Sequence, residues 1–402
     1  MVCAILSALL ALFLRDRWNK PRFVLLLLMV TATALYWAHS IYFSHQAKYI
    51  IVSDTIYSFC NPAVFPLFFI YIEELALRHP NHKRQIAYLL PSIACCLTVG
   101  ILYLLMNHTE TSQFISHHLY HNEFVTLSGL AWWQGIAHMM VRIVFALEIP
   151  PILYFSWRHV RQYDLTIENN YSNTEGKLLS NVRSLLILFA VTSFISFCFN
   201  IIGRSLFTDS LWLLAVPSVL FSTLLLLIGH VGLHLQFSIK NIVDEETEYE
   251  IKPQSDINQS KLSESIQKLI EEERLYLQPN LKTDDLAKRL YTNKNYIYQA
   301  INVKMGLSFT KYINQKRIEY AAHLIEENPK ALLTDVSNQS GFTSVSAFYR
   351  NFKAFKGCSP STYQLMQPET TESRPFYHPG YRAPCLDSVR AGLEGCSRHH
   401  PF

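Results

Sequence analysis

Apolar and polar positions fall into two regimes along this 402-residue chain. In the first, apolar residues form long runs over positions 2–14, 23–43, 50–72, 86–106, 131–157, 182–203 and 211–235. Crossing a hydrocarbon core as a helix takes about 20 apolar residues, with a lower limit near 17. Six of the seven runs reach that length, and the first is short. From Lys261 onward, apolar residues instead recur at spacings of three and four on otherwise polar segments, the signature of amphipathic helices. The pattern predicts an all-α protein. A seven-helix transmembrane bundle is expected first, then a soluble helical domain.

The polar part divides further. Leu262, Ile266, Leu269 and Ile270 mark a helix that Pro279-Asn280 breaks. Thr283 offers an N-cap, Asp284 and Asp285 favour the first turn, and Leu286, Ala287 and Leu290 form the apolar face of a short helix. After the turn Thr292-Asn293-Lys294, a second helix over 295–304 is expected to bury Ile297 and Ile301 and to end at Gly306. Two short helices around a tight turn form a helix-turn-helix pattern. Ser308 caps a longer helix that runs to Glu327 and stops at Asn328-Pro329. Then the pattern repeats. Leu333 and Val336 begin a short helix, Ser340-Gly341-Phe342 makes the turn, and Ser344 caps a helix over 345–355 that buries Phe348 and Phe352. Gly357 ends it, and Ser359-Pro360 opens a last short segment. A single such pattern is common in helical bundles; two in tandem, bridged by one long helix, are far more specific.

Composition sharpens the division. Half of the residues are hydrophobic and 16% are charged, which excludes a disordered chain. Eight cysteines are too few for a disulfide scaffold, and four of them, Cys60, Cys95, Cys96 and Cys198, lie in apolar runs. Residues 1–238 carry 14 Lys/Arg and 11 Asp/Glu, too few charges for a water-facing surface. Residues 261–366 carry 15 and 10, an ordinary soluble density with a net charge of +5. Between them, 239–260 holds the acidic stretch from Asp244 to Glu250 and reads as a cytoplasmic linker. The segment 367–402, with four Arg, no Lys and many Pro, Gly and His, is expected to be a disordered tail.

Basic residues orient the apolar part. The segments after runs one, three and five hold Arg15, Arg17, Lys20, Arg22, Arg78, Lys83, Arg84, Arg158, Arg161, Lys177 and Arg183; the intervening ones hold only Lys48 and Arg204. Seven passes with this bias place the N-terminus outside and the C-terminal domain in the cytoplasm, in a bacterial inner membrane.

The C-terminal segment, Leu281 to Tyr363, resembles the DNA-binding domain of the AraC/XylS transcription regulators. The resemblance rests on Asp285-Leu286-Ala287, Asn293 with Tyr296-Ile297, Gly306-Leu307-Ser308-Phe309, Tyr312-Ile313-Asn314 and Arg317-Ile318-Glu319-Tyr320-Ala321. It continues through Gly341-Phe342-Thr343-Ser344, Phe348-Tyr349-Arg350, Phe352-Lys353 and Gly357-Cys358-Ser359-Pro360-Ser361. It covers about a fifth of the chain. Ser337 stands where the family usually has Ala, and Gln364 where Arg is common. The resemblance implies a monomer with two recognition helices in successive major-groove turns, about 34 Å apart. Their linking helix, about 18 residues at 1.5 Å each, spans about 27 Å. Base contacts are then expected from Asn295, Tyr298 and Gln299 in the first reader and from Val345, Ser346, Tyr349 and Arg350 in the second, with Arg350 suited to guanine. Lys294, Lys311, Lys353 and Lys356 would contact phosphates.

Within the apolar runs, Asp54, Arg142 and Glu148 are candidates for a signal site, because ionisable residues there are costly. Asp54 lies near the outer end of its run, within reach of water, and Pro150-Pro151 would kink run five. The external segment 107–130 carries His117 and His121 at a spacing that suits a metal if helical, though without a full ligand set. His39, Asp54, His230 and His234 superficially resemble the ligands of seven-pass zinc amidohydrolases, but the expected topology puts them at opposite faces of the bilayer. The reading is therefore a membrane-bound, sequence-specific transcription regulator, non-enzymatic and without a cofactor. Its expected partners are double-stranded DNA, the lipid bilayer and a small-molecule or membrane-borne signal, with RNA polymerase as an indirect partner and a second copy of the chain as a candidate. The alternative is an integral-membrane enzyme or transporter of the zinc-hydrolase type with a DNA-binding tail.

Overall fold

The computed structural model describes residues 20–121, 123–202, 211–234 and 259–367. The short first run, the linker over 239–258 and the tail from 368 lie outside the described residues. Among the described residues the chain is helical with no strand, apart from one isolated bridge between Tyr171 and Lys282. The chain forms two compact units. Unit 1 comprises Met1–Asp164 and Lys177–Glu248; unit 2 comprises Leu165–Gly176 and Tyr249–Phe402.

Unit 1 is built on α1 (Lys20–Phe43), α2 (Ile50–Ala76), α3 (His82–Tyr88), α4 (Leu90–Leu105), the short α5 (His108–Gln113), α6 (Gly129–Asn170), α7 (Ser180–Ile202) and α8 (Leu211–His234). Helix α2 is central and packs against α1 and α4, while α8 packs against α7 and α1. It is apolar on every side, and from Phe65 to Ala76 every residue is buried. Pro62 and Pro66 lie inside it, as proline does in helices whose freed backbone groups find other partners. Helix α6 runs unbroken through Pro150 and Pro151.

By length and apolarity, four described helical stretches could cross a membrane: Lys20–Phe43, Ala47–Ala76, His82–Leu105 and Gly129–Asn170. Runs six and seven appear as α7 and α8, with shorter apolar stretches Val182–Ile195 and Ser218–Gly232. Among the described residues, four of the expected seven spans thus appear as helices long and apolar enough to cross, runs six and seven show shorter apolar stretches, and run one lies outside the described residues. On α3 and α4, Ile86, Leu90, Ile93, Leu97, Ile101 and Leu104 are exposed at spacings of three and four, a continuous apolar stripe facing outward.

In unit 2, α9 (Gln259–Glu272), α10 (Thr283–Arg289), α11 (Lys294–Tyr298) and a π-helical turn (Gln299–Lys304) make the first half. Helix α12 (Phe309–Glu327) leads to α13 (Leu333–Gln339), α14 (Val345–Lys356) and α15 (Pro360–Leu365). Two apolar cores result. The first joins Leu262, Ile266 and Ile270 of α9 with Leu286, Ile297, Ile301, Phe309 and Ile313. The second joins Ile318, Ala321, Ala322 and Ile325 with Val336, Phe342, Phe348 and Phe352. Helix α12 serves both, its first two turns facing one core and its last three the other. Burying each of Phe348 and Phe352 completely is worth roughly 2–3 kcal/mol.

Candidate nucleic-acid interface

Local sequence builds both helix pairs. Asn293 caps α11, its side chain accepting from the Asn295 N–H at 2.9 Å, and the turn before it closes through Thr292 N–H to the Ala287 carbonyl at 2.9 Å. Ser344 caps α14, accepting from the Ala347 N–H at 3.0 Å. Ser308 and Ser359 cap α12 and α15 in the same way. Gly341 has φ +79°, and a Cβ there would lie 2.6 Å from the Leu277 carbonyl oxygen, so both the turn geometry and the close approach require glycine. Thr283 is not the cap of α10. The helix begins one residue earlier, with Lys282 as its N-cap and Lys282 N–H donating to Asp285 at 2.8 Å, and the Thr283 hydroxyl donates to Asn170. The first reader is not a uniform α-helix either, since its second half is the π-helical turn.

The expected base-reading residues lie on the outward faces. Asn295 and Tyr298 are exposed on α11, and Gln299 is half-buried. Val345, Ser346 and Arg350 are exposed on α14. Tyr349 is partly committed elsewhere: its hydroxyl lies 3.0 Å from Ser361 Oγ and its ring packs edge-on against Phe348. Among the lysines, Lys311 and Lys353 are exposed, Lys294 is half-buried, and Lys356 lies over the Tyr363 ring at 5.7 Å. The two departures from the family pattern are accommodated. Ser337 is fully buried, its hydroxyl without a hydrogen-bond partner among the described residues, and Gln364 donates to the Ala331 carbonyl at 2.8 Å.

Two residues that sequence reasoning did not place prove central. Arg317 is 1% exposed. Its guanidinium donates to the carbonyls of Tyr276 (2.7 Å), Gln278 (2.7 Å) and Pro279 (3.3 Å), to Asn314 Oδ1 (3.3 Å) and to Ser172 Oγ (3.2 Å). Burial pushes it down to about 10, so it stays charged at neutral pH and its donors are needed. The second is Glu175. It lies in Leu165–Gly176, which sequence reasoning assigns to the apolar domain 1–238 and which instead packs with the readers in unit 2. The Glu175 carboxylate accepts from Ser344 Oγ at 2.7 Å and Thr343 Oγ1 at 3.2 Å, and lies 3.9 Å from the Arg350 guanidinium. A polar segment whose acidic residues are only Glu168 and Glu175 gives little warning of this role.

The three candidates from the apolar runs do not form one cluster. Asp54 is 4% exposed rather than open to water. It accepts from Tyr103 Oη at 2.8 Å and contacts His138 Nε2 at 2.7 Å. Arg142 lies one helical turn beyond His138 and is close enough to act electrostatically on His118. Glu148 is about 9 Å further along α6 than Arg142, and both its oxygens are buried without a hydrogen-bond partner among the described residues. His138 and Tyr103 were the missed partners, although a histidine inside an apolar run is itself a signal. His39 is surrounded by the rings of Tyr36, Phe43 and Tyr57. His117 pairs with Glu123 at 3.2 Å, and His121 with the Ser116 carbonyl at 2.6 Å. Among the described residues, no three His, Cys, Asp or Glu side chains converge as metal ligands would.

Comparison with known proteins agrees with this geometry. Residues 286–366 match the family model described as "Helix-turn-helix domain". The chain is 35% identical over 85 residues to the Msm operon regulatory protein of Streptococcus mutans, covering 21% of this chain and 30% of that protein. It is 30% identical over 95 residues to the Melibiose operon regulatory protein of Escherichia coli K12, covering 24% and 31%. It is 27% identical over 127 residues to the Uncharacterized HTH-type transcriptional regulator YtdP of Bacillus subtilis, covering 31% and 16%. The chain thus spans less than a third of the length of these relatives, each of which is described as a regulator and none as an enzyme. Residues 286–366 of this chain are thus similar to the helix-turn-helix DNA-binding domain of transcription regulators.

Proposed function

We propose that the chain is a membrane-embedded, sequence-specific transcription regulator that couples a signal sensed at or in the bilayer to promoter binding. The observation that carries this reading is the pair of helix-turn-helix readers on one linking helix, in the same chain as helices long and apolar enough to cross a membrane. The exposed apolar stripe on α3 and α4 supports a lipid-facing surface, since such a stripe would be costly in water. The basic-residue bias supports a C-terminal domain in the cytoplasm of a bacterial inner membrane, with the N-terminus outside. The relatives named as operon regulatory proteins support an action on transcription, with RNA polymerase as the indirect partner.

In this reading Asn295, Tyr298, Gln299, Val345, Ser346 and Arg350 face base edges, with Tyr349 contributing from its partly packed position. Lys294, Lys311, Lys353 and Lys356 face phosphates. The signal acts on the buried set around Asp54 and His138, with Arg142 beside it; Glu148 is a separate position. A signal shifts regulation only by its differential affinity for two states of the apolar bundle.

The test is genome-wide mapping of sites bound by the intact protein in its native membrane, paired with selection from a random-sequence duplex pool on the purified full chain. The same enriched duplex motif is expected from both. Recovery of no enriched sequence by either route would refute sequence-specific reading.

A further inference from the structure

We propose that Leu165–Gly176 is an inhibitory strap whose Glu175 carboxylate stands where a DNA phosphate would bind at the start of α14. The inference rests on the reading of α11 and α14 as DNA readers. Within unit 2, the strap is anchored on the first reader module. Tyr171 and Ser172 are buried, and Ser172 N–H donates to the Leu281 carbonyl at 3.0 Å. The Thr310 hydroxyl donates to the carbonyls of Glu168 (2.9 Å) and Tyr171 (2.5 Å), Asn302 donates to Asn169 at 2.6 Å, and Arg317 reaches Ser172.

Five residues beyond its anchor at Asn170, the strap meets the second module through Glu175. The contact has the chemistry of phosphate recognition. Two hydroxyls donate to the carboxylate, a guanidinium stands 3.9 Å away, and the group sits at the N-terminus of a 12-residue helix. Such an N-terminus favours an anion through its free N–H groups and its dipole. Arg350 is one of the residues assigned to DNA, and Thr343 and Ser344 directly precede Val345 and Ser346 of that set. Glu175 brings a negative charge to that face, so duplex and carboxylate cannot both occupy it.

The two ends of the strap differ in a way that suits a latch. The anchor is buried and hydrogen-bonded through the backbone. The Glu175 end is a polar, partly exposed contact of the kind that contributes little net stability and opens readily. The strap begins as the last turns of α6, which ends at Asn170, and Glu175 lies in the non-helical segment that follows.

The experiment uses the full chain in phospholipid nanodiscs and fluorescence anisotropy with a fluorescein-labelled duplex, recovered by selecting a random-sequence pool on the wild-type and Glu175→Ala proteins in parallel. Glu175→Ala and Glu175→Gln should each bind about two- to fivefold more tightly than wild type, because apparent Kd scales inversely with the fraction of open molecules and the latch contact is weak. Equal affinity would overturn the strap as an inhibitor. Weaker binding by both variants would also overturn it, by showing that Glu175 supports the reading geometry. If neither wild type nor variant selects a duplex, the DNA reading itself falls, an outcome distinct from equal binding.

Discussion

At Arg317, one side chain ties together segments that are distant in sequence. Three backbone carbonyls between Tyr276 and Pro279 converge on its guanidinium from the end of α9, while Ser172 reaches it from the strap. Replacing it with Met keeps much of the volume but removes the donor from the Tyr276 and Pro279 carbonyls, each at about 1–3 kcal/mol when buried, while the Gln278 carbonyl keeps the Leu281 N–H. Arg317→Met is therefore expected to cost at least ~2 kcal/mol, read as a fall in the urea midpoint of the second transition if the two units unfold separately, or of the single transition otherwise. An unchanged midpoint would show that water satisfies the carbonyls equally well. Arg317 was visible in the sequence as part of a motif, but its role was not, because its partners are backbone atoms that composition does not encode. Gly341 was legible at both levels: a Ser-Gly-Phe turn calls for positive φ, and the structure adds the Leu277 carbonyl as a second reason.

At the scale of elements, capping residues and apolar spacing placed the helices of both readers well. Asn293, Ser308, Ser344 and Ser359 all cap as local chemistry dictates. Thr283 did not, since α10 starts at Thr283 itself with Lys282 as its cap, and the π-helical turn after Tyr298 has no signature in spacing alone. On α14, Arg350 and Lys353 point outward one turn apart, and their expected roles separate experimentally. With a selected duplex, Arg350→Ala should cost about 1–3 kcal/mol and relax the preference at one base pair. Lys353→Ala should weaken all duplexes alike and reduce the slope of log affinity against log salt by about 0.9, one phosphate's worth. Uniform loss from Arg350→Ala would reassign that residue to the backbone.

At the scale of the molecule, stability couples to pH through a buried histidine in the segment between α5 and α6. Burial first, then the charges of His138 and Arg142, hold His118 down at about 4, against 6.5 when exposed. The unfolded chain therefore takes up a proton that the folded one refuses between those values. The stability tied to neutral His118 is complete above about pH 6.5 and is lost progressively as pH falls towards 4. Thermal unfolding of the full chain should show a smaller drop in Tm between pH 7 and pH 4.5 in His118→Gln than in wild type. An equal drop would assign the acid sensitivity to other groups.

Sequence alone determined the division of the chain into an apolar part and a double helix-turn-helix domain, because run length, helical spacing and caps are local properties. It also marked the outward residues of both readers, since a helix with one apolar face leaves the opposite one to solvent. Tertiary structure alone decided which polar groups meet. Asp54 found His138 and Tyr103 from other helices, Arg317 found carbonyls some forty residues away, and Glu175 left the apolar part to sit on the second reader. Such pairings depend on how helices pack, and a buried or latched charge selects its partner by distance in space, which no periodicity along the chain records.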